Sequence, residues 1–169
     1  LSSSYRSSYP STPAMSEIVD NQSNLESTKA KSPLSLLTLF HLSAATGNKL
    51  SYFGSFAVNG VFLGTDPHER WTASQFLLEY GSLFTNSSPA WTYTLSPNSR
   101  NIEIHHETFA TFSELLVAQD FGKVLAKGSG CLVKKGEFWF ILQYNLSFSV
   151  PNELCESLLP AIADFQQKV

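Results

Sequence analysis

The chain has 169 residues, 43% of them hydrophobic and 13% aromatic, including 13 Phe, so it can fill the core of one domain and still carry a polar tail. Only 15% of the residues are charged, sparse cover for a monomer, and burial of part of the outside against a second copy is expected. The net charge of −3 and pI near 5.8 exclude nucleic acid as a partner, since backbone binding needs clustered Lys and Arg. No apolar run approaches the ~18 residues of a membrane span, so no membrane partner is expected either.

Residues 1–31 are rich in Ser, Thr, Pro and Asn, with apolar side chains scattered and without period. Such a segment buries too little surface to offset its ordering entropy and reads as a disordered tail. Two readings of it compete. Arg6 among serines, with no acid before Glu17, faintly resembles an organelle transit peptide. The other reading takes Met15, the only methionine, followed by Ser16 and Glu17, as the natural start. Cys131 and Cys155 form no C-x-x-C and read as reduced thiols of a cytoplasmic protein, with an organelle as the alternative.

The folded domain is expected over 32–169. Ser32 caps a first helix with Pro33 in its first turn, and Leu34, Leu37, His41, Ala44 and Ala45 share one face before Gly47 stops it. A short helix over 49–56 and a strand over 58–63 follow. Thr72-Ala73-Ser74-Gln75 has capping-box spacing and opens a helix with Phe76, Tyr80, Leu83 and Phe84 as its apolar stripe. After Pro89 the pattern turns to strands: 90–95, two strands within 101–117 broken near His106-Glu107, and a hairpin of 123–133 with 138–148 through Lys134-Lys135-Gly136. Residues 153–167 read as a last helix interrupted at Pro160. Helices first and antiparallel strands afterwards make an α+β order.

Gly64-Thr65-Asp66-Pro67-His68-Glu69-Arg70-Trp71 resembles the G-T-D-x-x-E-R-W signature of a SnoaL-like branch of the NTF2-like superfamily. Phe40-His41 with Ala44-Ala45 resembles its W-H-x-A-A segment, and Phe112-Ser113-Glu114-Leu115-Leu116 its F-D-E-L-L. Gly128-Ser129-Gly130, Trp139, Gln143-Tyr144-Asn145-Leu146-Ser147 and Pro151-Asn152-Glu153-Leu154 follow in the order of the family's G-S-G, W, Q-Y-N-L-S and P-N-x-L ending. The resemblance implies a cone: a curved antiparallel sheet packed on N-terminal helices around a pocket, dimeric through the sheet. It implies no single reaction, since such domains include isomerases, dehydratases and cyclases as well as non-catalytic binding and assembly domains. Two positions depart from the pattern. Ser113 stands where an acid is usual, and Phe140 stands where a basic residue is usual after the Trp.

Asp66-Pro67-His68-Glu69 reads either as an acid cluster at a pocket mouth or as a helix start, with an Asp cap, Pro in the first turn and Glu three residues on. Arg70 and Trp71 would anchor the following helix by an ion pair and an apolar contact. Glu114, in an apolar strand, is the candidate general base or acid if it faces a dry pocket; otherwise it faces solvent or pairs with Arg100 or Lys127. His41 is the second catalytic candidate, or else a satisfied core histidine. If Trp139 faces inward, period two brings Gln143 and Asn145 with it, suited to orienting a carbonyl. Ser129, Trp91 and Tyr93 complete the expected ligand contacts. His105 and His106 point to opposite faces of a strand and cannot readily share an ion, and neither metal nor cofactor is expected. Three roles remain open: proton transfer on a small apolar carbonyl compound, ligand binding without turnover, and homodimeric assembly.

Overall fold

The computed structural model describes residues 29–167; the tail readings for 1–28, Met15 included, lie outside the described residues. The elements are α1 (Pro33–Ala45), α2 (Lys49–Gly54), β1 (Phe56–Leu63), β2 (Arg70–Thr72), α3 (Ala73–Tyr80), β3 (Tyr93–Leu95), β4 (Asn101–His106), β5 (Phe109–Ala118), β6 (Val124–Lys135), β7 (Phe138–Phe148) and α4 (Cys155–Gln166). The strands form one curved sheet in the order β2-β1-β7-β6-β5-β3, with β4 also on β5. All pairings are antiparallel except β1 with β7, which run parallel. Helices α1, α2 and α3 pack on the sheet through Phe40 against Tyr144, Tyr52 against Phe56 and Phe76 against Phe62. The chain joins the sheet at Ala30, which is buried and whose carbonyl accepts the Trp139 N–H at 2.9 Å.

Local chemistry accounts for the helix starts. Ser32 accepts the Ser35 N–H at 3.1 Å while Ser35 accepts the Ser32 N–H at 3.1 Å, with Pro33 at the first position. Thr72 and Gln75 make the same reciprocal pair ahead of α3. Gly47 adopts φ +67° and ends the first helical segment, as its place in the sequence predicts. The buried side of α1 is made by Leu36, Leu37, Phe40, Ser43 and Ala44, while Leu34, expected in the stripe, is 58% exposed. Phe40 is the hub of the core. Its ring stacks on Tyr52 at 4.4 Å and meets Tyr144 at 4.9 Å and Phe56 at 5.7 Å.

Two elements differ from the sequence expectation. The 66–69 segment does not start a helix: it closes a β1–β2 hairpin, with the Gly64 N–H donating to the Glu69 carbonyl at 3.0 Å. Its cap-like bonds are present all the same, since Asp66 Oδ1 accepts the His68 N–H at 2.9 Å and Glu69 Oε2 accepts the Asp66 N–H at 3.2 Å. Arg70 is exposed without an ion pair among the described residues, and Trp71 packs edge-on against Tyr80 at 6.1 Å. Helix α4 runs through Pro160 without a break and has no buried residue.

The face that Phe40 defines is testable. Phe40→Ala is expected to cost about 3–5 kcal/mol in urea unfolding, whereas Leu34→Ala on the same helix stays within about 0.5 kcal/mol.

Candidate functional site

Strand β5 alternates strictly, and Ala110, Phe112, Glu114, Leu116 and Ala118 are its buried set. A carboxylate in that row must be paired to be tolerated. Three elements supply the partners. From α1, His41 Nε2 lies 2.6 Å from Glu114 Oε1. From β7, the Tyr144 hydroxyl donates to the same oxygen at 2.7 Å. From the turn before β4, Arg100 Nε donates to Oε2 at 2.7 Å, and its Nη1 reaches Thr38 Oγ1 on α1 at 3.2 Å. The side chains of Glu114 and Arg100 are 0% and 8% exposed. Gly128, opposite Glu114 on β6, leaves the room: a Cβ there would run into the Tyr144 hydroxyl and lie 2.9 Å from Glu114 Cγ.

Burial pushes the Glu114 carboxyl up, but its bond to His41, the charges of His41 and Arg100, and the Tyr144 hydroxyl together hold it below the ordinary range. Tyr144 moves the other way, raised well above its usual value by burial and then by the Glu114 charge and hydrogen bond, so it stays a donor. A carboxylate only accepts, which assigns the proton of this contact to His41 Nε2. His41 Nδ1 bonds no described residue.

Next to this cluster is a cavity of about 380 Å³, within the roughly 300–1,000 Å³ of small-molecule sites. Its buried wall is aromatic: Phe40, Tyr52, Phe62, Phe76 and Tyr144, with His41 among them. Tyr80, Trp91 and Tyr93 continue the wall outward, and Thr65, Glu69, Leu83, Asp120 and Phe121 stand at the exposed end. The G-T-D-x-x-E segment reaches this end, where Gly64 leaves the volume that the Glu69 carboxyl fills. Glu69 Oε1 accepts the Tyr80 hydroxyl at 2.9 Å.

The expected site residues divide. His41, Trp91 and Tyr93 line the cavity. Glu114 does not face solvent and does not line the cavity; it lies one layer behind His41 and Tyr144. Trp139 is buried as expected, yet it is not in the lining of this cavity, and Gln143 and Asn145 do not follow it inward. The cause is a β-bulge: Leu132 pairs with Ile141 and Cys131 with Gln143, so Leu142 is an extra residue that reverses the alternation. Trp139 and Ile141 before it, and Tyr144 and Leu146 after it, are the inward residues. Ser129 alternates away from buried Gly128 and likewise is not in this cavity's lining. The two departures from the family pattern fall outside the site, because Ser113 and Phe140 lie on the outer side of the sheet. Among the described residues no group of three or more His, Cys, Asp and Glu could hold a metal, and His105 instead bonds Thr111 Oγ1 at 2.6 Å.

Sequence reading missed Tyr144, and it named Arg100 as a partner of Glu114 only in the alternative to a catalytic role. A tyrosine within the apolar run of β7 was a signal for the first, but only knowledge of the bulge would have turned it inward.

Glu114→Gln leaves Arg100 buried beside a neutral group, and at pH 7 this is expected to cost about 3–5 kcal/mol in urea unfolding. Because the folded-state pKa is depressed, the native carboxylate's contribution is complete above the ordinary carboxylate range and is lost as pH falls through the folded value. The gap between native protein and variant should therefore narrow on acidification. A gap that widened below pH 4 would contradict the assignment.

A SnoaL-like domain family model matches residues 34–151. No curated protein sequence matches. Among solved structures, a candidate scytalone dehydratase from Novosphingobium aromaticivorans is 12% identical, with 77% of this chain and 89% of that one covered and a TM-score of 0.56. A candidate ketosteroid isomerase from Parabacteroides distasonis is 11% identical over 68% and 86%, TM-score 0.54. A candidate calcium/calmodulin dependent protein kinase II association domain from Xanthomonas campestris is 20% identical over 70% and 86%, TM-score 0.52. At these identities the structures establish a common fold. With the family model spanning most of the chain, the protein belongs to the SnoaL-like domain family and has the NTF2-like α+β fold.

Proposed function

We propose that the cavity binds a small, flat, largely apolar carbonyl compound and that His41 transfers a proton on it, as an isomerase, lyase or cyclase would. One observation carries this: His41 stands on the cavity wall while its Nε2 is held by buried Glu114 at 2.6 Å. Glu114 orients the ring, and in the neutral ring Nδ1 carries the lone pair that takes a proton from the carbon next to the carbonyl. Glu114 is then a positioning residue, with Arg100 and Tyr144 holding its two oxygens. The aromatic wall excludes water and offers planar contacts to a planar ligand. Two structural relatives are described as a candidate dehydratase and a candidate isomerase, which supports the class of chemistry by fold analogy only.

The test is exchange of the α-protons of 2-tetralone in deuterated water, followed by NMR. The native protein should speed exchange above the buffer rate, and His41→Gln should lower that acceleration by about 10²–10⁴-fold while 2-tetralone still binds. Binding without any exchange would leave the cavity a non-catalytic ligand site.

The outer face of the sheet supports a second, non-catalytic role as a homodimeric interaction domain. Val133 and Phe140 stand opposite each other there, half-buried, with Leu142 next to them. One structural relative is described as an association domain. In this role sedimentation would give a dimer, and Phe140→Asp would give a folded monomer.

A further inference from the structure

We infer that the cavity selects its ligand by charge: it takes neutral or cationic aromatic compounds with a hydroxyl or amine at the outward end, and turns anions away. This rests on the reading of the cavity as a ligand site. The charged or chargeable side chains on its wall, tyrosine hydroxyls aside, are His41, Glu69 and Asp120, and no Lys or Arg is among them. Arg100, the guanidinium behind the buried wall, is not in the cavity's lining; its Nε and Nη1 donate to Glu114 and Thr38.

Neither outer carboxylate forms an ion pair among the described residues. Glu69 is held by neutral donors, the Tyr80 hydroxyl and the Asp66 N–H. Asp120 Oδ2 accepts the Thr92 N–H at 2.7 Å, and Oδ1 bonds no described residue. The field of Asp120 reaches the wall: it adds to burial in holding the Tyr93 hydroxyl above its usual pKa, which keeps that group a donor. A ligand carboxylate or phosphate seated here would lose its hydration and meet two like charges, a repulsive element of specificity. An amine would meet opposite charge and the faces of Tyr80, Trp91 and Tyr93, which attract cations. A hydroxyl would find acceptors in the same carboxylates.

The test is isothermal titration calorimetry of the full chain with three ligands on one ring system: 2-naphthol, 2-naphthylmethylamine and 2-naphthoate. The alcohol and the amine should bind, and the carboxylate should bind at least about tenfold more weakly, a difference of about 1.4 kcal/mol. In the Glu69→Gln/Asp120→Asn variant the deficit of the carboxylate should shrink. Should that variant not fold, the same deficit in the native protein should shrink as salt is raised. Naphthoate binding as tightly as naphthol, or a deficit that neither the variant nor salt reduces, would overturn the charge selection while leaving the cavity a ligand site. Failure of all three to bind would overturn the ligand site itself, and the charge selection with it.

Discussion

A carboxylate without water around it needs its hydrogen bonds supplied by the protein, and Glu114 imposes that requirement on most of the domain. Its partners come from α1, from the turn before β4 and from β7, so helix and sheet cannot separate without exposing or orphaning an ion. The demand extends to residues that donate nothing. Gly128 is bare because the Tyr144 hydroxyl and the Glu114 side chain occupy the space a Cβ would take. Thr38, exposed on α1, is tied in through Arg100. The fixed centre of the fold is thus a polar cluster inside an aromatic shell, and the shell supplies the low-dielectric surroundings in which such bonds are strong.

The same cluster explains which parts of the fold were legible in the sequence. Features governed by a few neighbouring residues could be read directly: the Ser32 and Thr72 caps, the stop at Gly47, the hairpin turn at Gly136 and the break between β4 and β5. Features governed by pairing across the sheet could not. Period two along β7 predicts that Trp139 carries Gln143 and Asn145 inward, and the rule is sound until Leu142 interrupts it. Nothing in Phe138–Phe148 announces the extra residue, because both faces of the strand are apolar and either phase looks equally buried. The interruption is what allows Trp139 to close one end of the core while Tyr144 reaches Glu114 near the cavity. Of the site, the two candidate catalytic residues were visible as a histidine on an apolar helix face and an acid in an apolar strand. That they touch each other, and that only the histidine meets the cavity, depends on packing between distant elements.

The Gly64–Trp71 signature shows how one set of local bonds can serve two structures. Asp, Pro and a Glu three residues on give the chemistry of a helix start, and the bonds that chemistry predicts do form. Helix does not follow, because Arg70–Thr72 pairs back onto β1 and commits the segment to a hairpin. Glu69 is then carried to the cavity's exposed end, where it holds Tyr80. Both readings of this segment therefore contained part of the outcome: the bonding is that of a cap, and the position is that of an acid at a pocket mouth.

Arg100 sets the charge balance on which the proposed chemistry turns. With the imidazole neutral, Glu114 and Arg100 cancel, and the buried wall presents no net charge to an apolar ligand. In the proposed reaction a proton leaving the ligand carbon for His41 would make the cluster a cation as the ligand becomes an enolate, so opposite charges would form side by side against the aromatic wall. Without Arg100, the resting cluster would carry an uncompensated anion behind the wall, and an incoming carbonyl would meet repulsion of the charge it must develop. In the proposed reading the two carboxylates at the exposed end bear on the opposite end of the ligand, so chemistry and selection would be divided along one cavity between the residues behind His41 and those around Glu69.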